Sequence, residues 1–217
     1  MTARLVMAIM GLAIGPLLGG VKDARELISK SKRSDVEVME VLNLVKSDLT
    51  EEGVEEVIGW VIENGFAQER KRVGEVIWKL PKNDQLMLKY VRILSFYGEK
   101  EQLEEVTGKL PKGRVHQEAR FRLALTVAED AQRNLTLNDA ERAARNQEAK
   151  EILEKLEKEE GLNEFVEKWV ADLKYKITHL VVGCEAPEIE GVDSGGKKIT
   201  LSEYRGKVVL LPFWGMW

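Results

Sequence analysis

Apolar residues recur every three or four positions over most of this chain, the spacing that turns one side of an α-helix toward a core. From about Asp35 to Leu180 the pattern is helical almost throughout. Val38, Leu42, Val45 and Leu49 mark a first stripe. Thr50 stands where a cap is expected, with Glu51 and Glu52 in the first turn, where the helix dipole favours acids. Val54, Val57, Ile58, Val61 and Ile62 continue that helix to a stop signal at Asn64-Gly65. Phe66 to Leu80 predicts the next helix, ended by Pro81. Asn83 or Asp84 caps another, which carries Leu86, Tyr90, Val91, Leu94 and Tyr97 and closes at Gly98. A short helix with Leu103, Val106 and Leu110 ends at Pro111, and one starting near His116 shows Leu123, Val127 and Ala131 on one side.

The tetrapeptide Lys79-Leu80-Pro81-Lys82 recurs 30 residues later as Lys109-Leu110-Pro111-Lys112. Each copy follows an apolar helix and precedes a capped one. Such an offset resembles a helix–turn–helix repeat of the tetratricopeptide kind, whose unit is about 34 residues. Stacked α-hairpins are therefore expected, with reuse of Pro as a helix terminator as the competing explanation. Asp139 to Glu160 follows, with Ala140, Ala144, Ile152, Leu153 and Leu156 as a thin seam. Leu162, Phe165, Val166, Trp169, Val170, Leu173 and Ile177 then define a last, wide apolar face. These two segments are expected to pair antiparallel and to seal the helical layer.

The character changes at Val181-Val182-Gly183, where Pro, Gly and β-branched residues enter. Ile189–Asp193 and Lys198–Leu201 predict two short strands around a Ser194-Gly195-Gly196 hairpin turn. Ser202 to Gly206 predicts a single helical turn. Val208 to Trp214 is a continuous apolar run, expected as a central strand buried on both faces.

Charge narrows the function classes. The 217 residues are 44% hydrophobic and 32% charged, with a formal net charge of −4, so no basic face marks the chain as a nucleic-acid binder. The clusters Lys30-Ser31-Lys32-Arg33 and Arg70-Lys71-Arg72 read as solvated helix faces. Residues 1–20 read as an export signal: Arg4 supplies a positive start, and Leu5 to Ile14 an apolar core before Gly15-Pro16. Residues 5–18 are alternatively an uncleaved membrane anchor, or part of a buried helix. Residues 21–34 read as a linker. Cys184 is the one cysteine, so no internal disulfide is expected. His116 and His179 lack a second ligand nearby, and no metal site or cofactor is expected. Asn134-Leu135-Thr136 fits a glycosylation sequon.

Three motifs in the last part of the chain carry a resemblance. They are Gly183-Cys184-Glu185-Ala186-Pro187, then Asp193-Ser194-Gly195-Gly196-Lys197, then Leu201-Ser202-Glu203-Tyr204-Arg205-Gly206-Lys207 running into Phe213-Trp214-Gly215-Met216-Trp217. In this order they resemble the opening of a thioredoxin-like redoxin domain of the TlpA-like thiol–disulfide oxidoreductases, in the wider AhpC/TSA-redoxin group. The resemblance implies an opening motif at Gly183, Ala186, Pro187, Gly206 and Lys207. It also implies that Phe213, Trp214, Gly215, Met216 and Trp217 flank an active site whose nucleophile follows Trp217. In that family the first cysteine of a Cys-x-x-Cys sits at a helix N-terminus, where the dipole lowers its pKa. Two features depart from the pattern. Pro212 removes a backbone donor from a strand that should be central, and neither reactive cysteine is among these residues. Cys184 falls at a variable position and reads as an ordinary thiol.

The resulting expectation is a mainly α protein: a helical-repeat-like domain over 35–180, then the incomplete first part of an α/β redoxin domain over 181–217. The resemblance implies an exported, periplasmic or envelope thiol–disulfide oxidoreductase, inactive over these 217 residues. A protein thiol or disulfide would be its substrate, and the helical domain would dock a protein partner. A UGA codon read as selenocysteine would explain the missing nucleophile; a frameshift, a nonsense mutation or a contig edge would do so equally. The alternatives are a peroxiredoxin-type antioxidant protein and a non-catalytic helical scaffold.

Overall fold

The computed structural model describes residues 19–30 and 38–212. Phe213 to Trp217, the expected active-site flank, lie outside these, as do residues 5–18. The described residues are mainly α-helical. They divide into two compact units, residues 1–171 and 172–217.

The first unit is built from helices α1 (Val21–Lys30), α2 (Val38–Val45), α3 (Val54–Asn64), α4 (Ala67–Val76), α5 (Asp84–Phe96), α6 (Lys100–Lys109), α7 (Arg114–Arg133) and α8 (Asp139–Glu157), and it ends within α9 (Glu164–His179). Consecutive helices pair as hairpins, α1 with α2, α3 with α4, α5 with α6 and α7 with α8. The hairpins also stack. α1 lies against α3, α3 against α5 and α5 against α7, while α2 touches α4 and α4 touches α6. α3, α5 and α7 begin at Val54, Asp84 and Arg114, a regular step of 30 residues. The repeated tetrapeptide occupies the two turns between these hairpins.

The core follows the stripes read from the sequence. Val57, Ile58, Val61 and Ile62 of α3 and Val91 and Leu94 of α5 are fully or almost fully removed from solvent, together with Val41, Val45, Val73 and Leu103. Local capping agrees in part. Asn83 accepts the Leu86 N–H at 2.9 Å, and Asn138 forms a reciprocal box with Glu141 at the start of α8. Thr50 does not cap α3. Its N–H and hydroxyl both turn to Asp48 Oδ1, at 2.9 and 2.6 Å. The helix starts after Gly53, whose φ of 90° lies in the left-handed region that favours glycine.

Four further expectations are corrected. The segment read as a linker from residue 21 contains α1, which buries Val21 and Ala24. The helix expected over 66–80 stops at Val76 and tightens into a 3₁₀ turn, Ile77–Lys79. α8 packs along α7 instead of forming the expected pair with the helix after it; Trp169 of α9 meets Phe121 of α7, with ring centroids 5.4 Å apart. Arg70 is no solvated side chain but is 4% exposed, within the hairpin stack.

The second unit holds the only sheet among the described residues. β1 (Glu190–Val192) and β2 (Lys198–Thr200) pair antiparallel in the register Glu190↔Thr200, Gly191↔Ile199, Val192↔Lys198. Asp193 N–H donates to the Lys197 carbonyl at 2.9 Å, and Gly196, at φ 80°, makes the turn without a steric penalty. A 3₁₀ turn, Leu201–Tyr204, follows. Val208 to Pro212 form no strand, which corrects the expected central one over its described part. Val208 and Leu210 are fully or almost fully exposed. A strand needs a neighbour to satisfy its backbone groups, and no third strand is present among the described residues to supply one.

Candidate functional site

The opening motif of the resemblance gathers around the hairpin of the second unit. Ala186, Pro187 and Lys207 line one open cavity of about 560 Å³, along with Glu188, Ser202 and Arg205. Glu188 organises it. Its Oε1 accepts the N–H of Ser202 at 3.0 Å and that of Ile189 at 3.1 Å. The Ser202 hydroxyl first, then the backbone donors, hold this exposed carboxyl below the usual carboxylate range. The Leu201 N–H reaches the Ile189 carbonyl at 2.9 Å, tying the end of β2 to the segment before β1. Glu185 pairs with Arg205 across 20 residues, and Lys207 Nζ lies 5.9 Å from the centre of the Tyr204 ring. Gly183 and Gly206 flank this knot at φ 93° and 79°.

No cysteine lines this cavity. Cys184 is exposed, and its sulfur lies 3.4 Å from the Thr178 carbonyl. No residue from Thr178 to Pro212 is buried, so the segment holds its shape through hydrogen bonds and not through a core of its own.

The first unit carries a different candidate, a groove of about 960 Å³ formed by α1, α3 and α5. Trp60, Ile28 and Ile93 supply its apolar surface. Its charges are matched from hairpin to hairpin. Arg25 Nε reaches Glu56 at 3.1 Å, Lys89 reaches Glu63 at 2.7 Å, and the Asn83 amide donates to Glu55 at 2.6 Å. Arg92 grips Glu118 of the next hairpin at 2.6 and 3.1 Å. The groove therefore offers apolar surface with each of its three cations, Arg25, Lys89 and Arg92, already paired. The sequence reading missed it, because a groove of this sort is visible only once successive helices are known to align at 30-residue steps.

Behind the groove sits a buried ion pair. Arg70 Nε donates to Glu99 Oε1 at 2.6 Å, and a second guanidinium nitrogen donates to the Gly65 carbonyl. The Tyr97 ring stacks 4.1 Å from the guanidinium carbon. Tyr90, 1% exposed, donates its hydroxyl to the Arg70 carbonyl at 2.7 Å. Burial, then the nearby carboxylates of Glu99 and Glu105, push the Tyr90 phenol far above its ordinary range.

No helix among the described residues is long and apolar enough to cross a membrane, and no cluster of metal-ligating side chains occurs among them. Scans of protein-family models, of curated proteins and of solved structures returned no match to this chain.

Proposed function

We propose that residues 181–217 are the opening of a TlpA-like redoxin domain, and that the protein is an exported thiol–disulfide oxidoreductase of the cell envelope. In this reading a tetratricopeptide-like hairpin stack docks its partners. The observation that supports it is the knot around Glu188. Residues of the first and third motifs, joined by Glu188 just after the first, fold onto one another across up to 20 positions. In a domain of this kind a thiolate or selenolate attacks a disulfide sulfur. One partner thiolate leaves, and a second thiol of the enzyme resolves the mixed disulfide. In such a domain the attacking group follows the segment equivalent to Phe213–Trp217, whereas the one cysteine among these 217 residues, Cys184, precedes it, so these residues should show no turnover. A thiol-reductase assay checks this: turnover that persists after Cys184→Ser would refute the assignment. So would DNA 3′ of the Trp217 codon that encodes no in-frame redoxin remainder.

A second reading, a non-catalytic interaction scaffold, is favoured by the absence of any buried residue after Ile177 among the described residues. Deleting residues 181–217 discriminates. A scaffold keeps its melting temperature and its partner, whereas an oxidoreductase extended to full length loses its activity.

A further inference from the structure

The two Lys-Leu-Pro-Lys turns lie side by side and enclose a cavity of about 250 Å³. We propose that this cavity is a docking site for an acidic peptide segment that inserts one apolar side chain. The inference rests on the docking role given to the hairpin stack, not on the redoxin reading.

Three features of the cavity converge. Its floor is apolar, formed by Trp78, Leu80, Met87, Leu110 and Val115. Its rim is cationic. Lys82, Lys112 and Arg114 line it, against the single carboxylate of Asp84, which sits 3.8 Å from Lys82. Lys112 and Arg114 are exposed, and neither pairs with a carboxylate among the described residues. The third feature is the start of α7 at this rim. Gly113 precedes it without a side-chain cap, so the positive end of the helix dipole adds to the same field.

Size and charge pattern together select the occupant. Small-molecule pockets run to roughly 300–1,000 Å³, so this cavity is better matched to one or two side chains. Lys82 of one turn and Lys112 with Arg114 at the other line the cavity from its two turns, and the complementary ligand is an apolar anchor with acids on both sides. The contrast with the α1–α3–α5 groove is informative. There every cation named is ion-paired with a carboxylate; here Lys112 and Arg114 are not, although they share a second cavity with Glu159 and Glu160. On a chain of net charge −4, an acidic segment is repelled by most of the surface and steered to this rim.

The test pans a phage-displayed library of random dodecapeptides on the full chain, with Lys82→Glu/Lys112→Glu/Arg114→Glu as the counter-target. All three side chains are exposed, and an unchanged helical circular dichroism spectrum verifies folding; Lys112→Gln/Arg114→Gln is a milder second variant. Acid–apolar–acid peptides should be enriched. A fluorescent synthetic copy of one should bind at least tenfold more weakly to the charge-reversed chain. It should lose a similar factor when its apolar anchor becomes Ser, and weaken with added salt. The proposal fails if no peptide is enriched, if basic or uncharged peptides are, or if the variants bind the acidic peptide unchanged. It also fails if charge reversal dissociates a dimer without altering peptide recovery, since the occupant would then be a second copy of this chain. Any of these results leaves the thiol chemistry proposed above untouched.

Discussion

Replacing Arg70 with Met should weaken the helical stack more than any surface change. Glu99 is 8% exposed, and its Oε2 already has no hydrogen-bond partner. Without Arg70, Oε1 is stranded as well, and the Gly65 carbonyl loses its donor. Breaking a buried pair by removing one partner costs about 3–5 kcal/mol, because a charge is left behind in a poorly solvated place. For a domain of roughly 150 residues the unfolding entropy is about 0.3 kcal/mol/K, so the melting temperature should fall by roughly 10–15 °C. Glu99→Met should cost less, because Arg70 keeps the Gly65 carbonyl and the Tyr97 ring. The double variant Arg70→Met/Glu99→Met should recover most of the loss, since an apolar pair of similar volume needs no desolvation. Urea unfolding followed by circular dichroism at 222 nm measures all three. A loss below about 1 kcal/mol for Arg70→Met, or a double variant as unstable as the sum of the singles, would refute the reasoning.

Other outcomes follow from particular contacts. Burial pushes the Glu118 carboxyl up, but the hydrogen bond and charge of Arg92, with Arg122 behind, outweigh it and leave it below the usual range. A lowered folded-state pKa gives stability that is present above the unfolded value and lost as pH falls through the folded one. The stability gap between wild type and Glu118→Gln should therefore narrow from about pH 5 downward; a constant gap in urea titrations would contradict this. A Cβ on Gly74 would meet the Tyr90 hydroxyl at 2.8 Å, so Gly74→Ala should destabilise the wild type. In Tyr90→Phe the same change should be neutral or stabilising by up to about 1 kcal/mol, the helix-propensity gain. Amide exchange in residues 181–212 should be faster than in α3 to α7, and uniform protection would count against the lack of a core there.

Much of the helical stack was legible because the sequence repeats its own punctuation. Val57, Ile58, Val61 and Ile62 had to face inward, and Pro81 and Pro111 had to end helices. The hairpin of the second unit was equally legible from Ser194-Gly195-Gly196. α1 was missed although Val21, Ala24, Leu27 and Ile28 fall at helical spacing, because ten residues beside an apolar run gave too short a window to separate helix from linker. Arg70 was misread for another reason. Its neighbours Lys71 and Arg72 are exposed, and a charge triplet cannot reveal which member turns inward without the position of Glu99, 29 residues away. The strand expected from Val208 failed because an apolar run specifies a buried environment, while a ladder also needs a partner. Of the candidate site, Ala186, Pro187 and Lys207 could be singled out in advance, though not their meeting at one cavity. The groove and the cavity between the turns could not, since both are made by helices meeting at a distance.

The regular 30-residue step makes the hairpins look exchangeable, yet the polar contacts that join them are individual. Glu63 meets Lys89, Arg70 meets Glu99, and Glu118 meets Arg92, and these three pairs fall at different places of the 30-residue unit. Each hairpin is thus keyed to one neighbour. Excising residues 84–113 would preserve the spacing but place Ala119 where Lys89 now answers Glu63. The order of units is written into their seams, so the stack should tolerate growth at its ends far better than shuffling within.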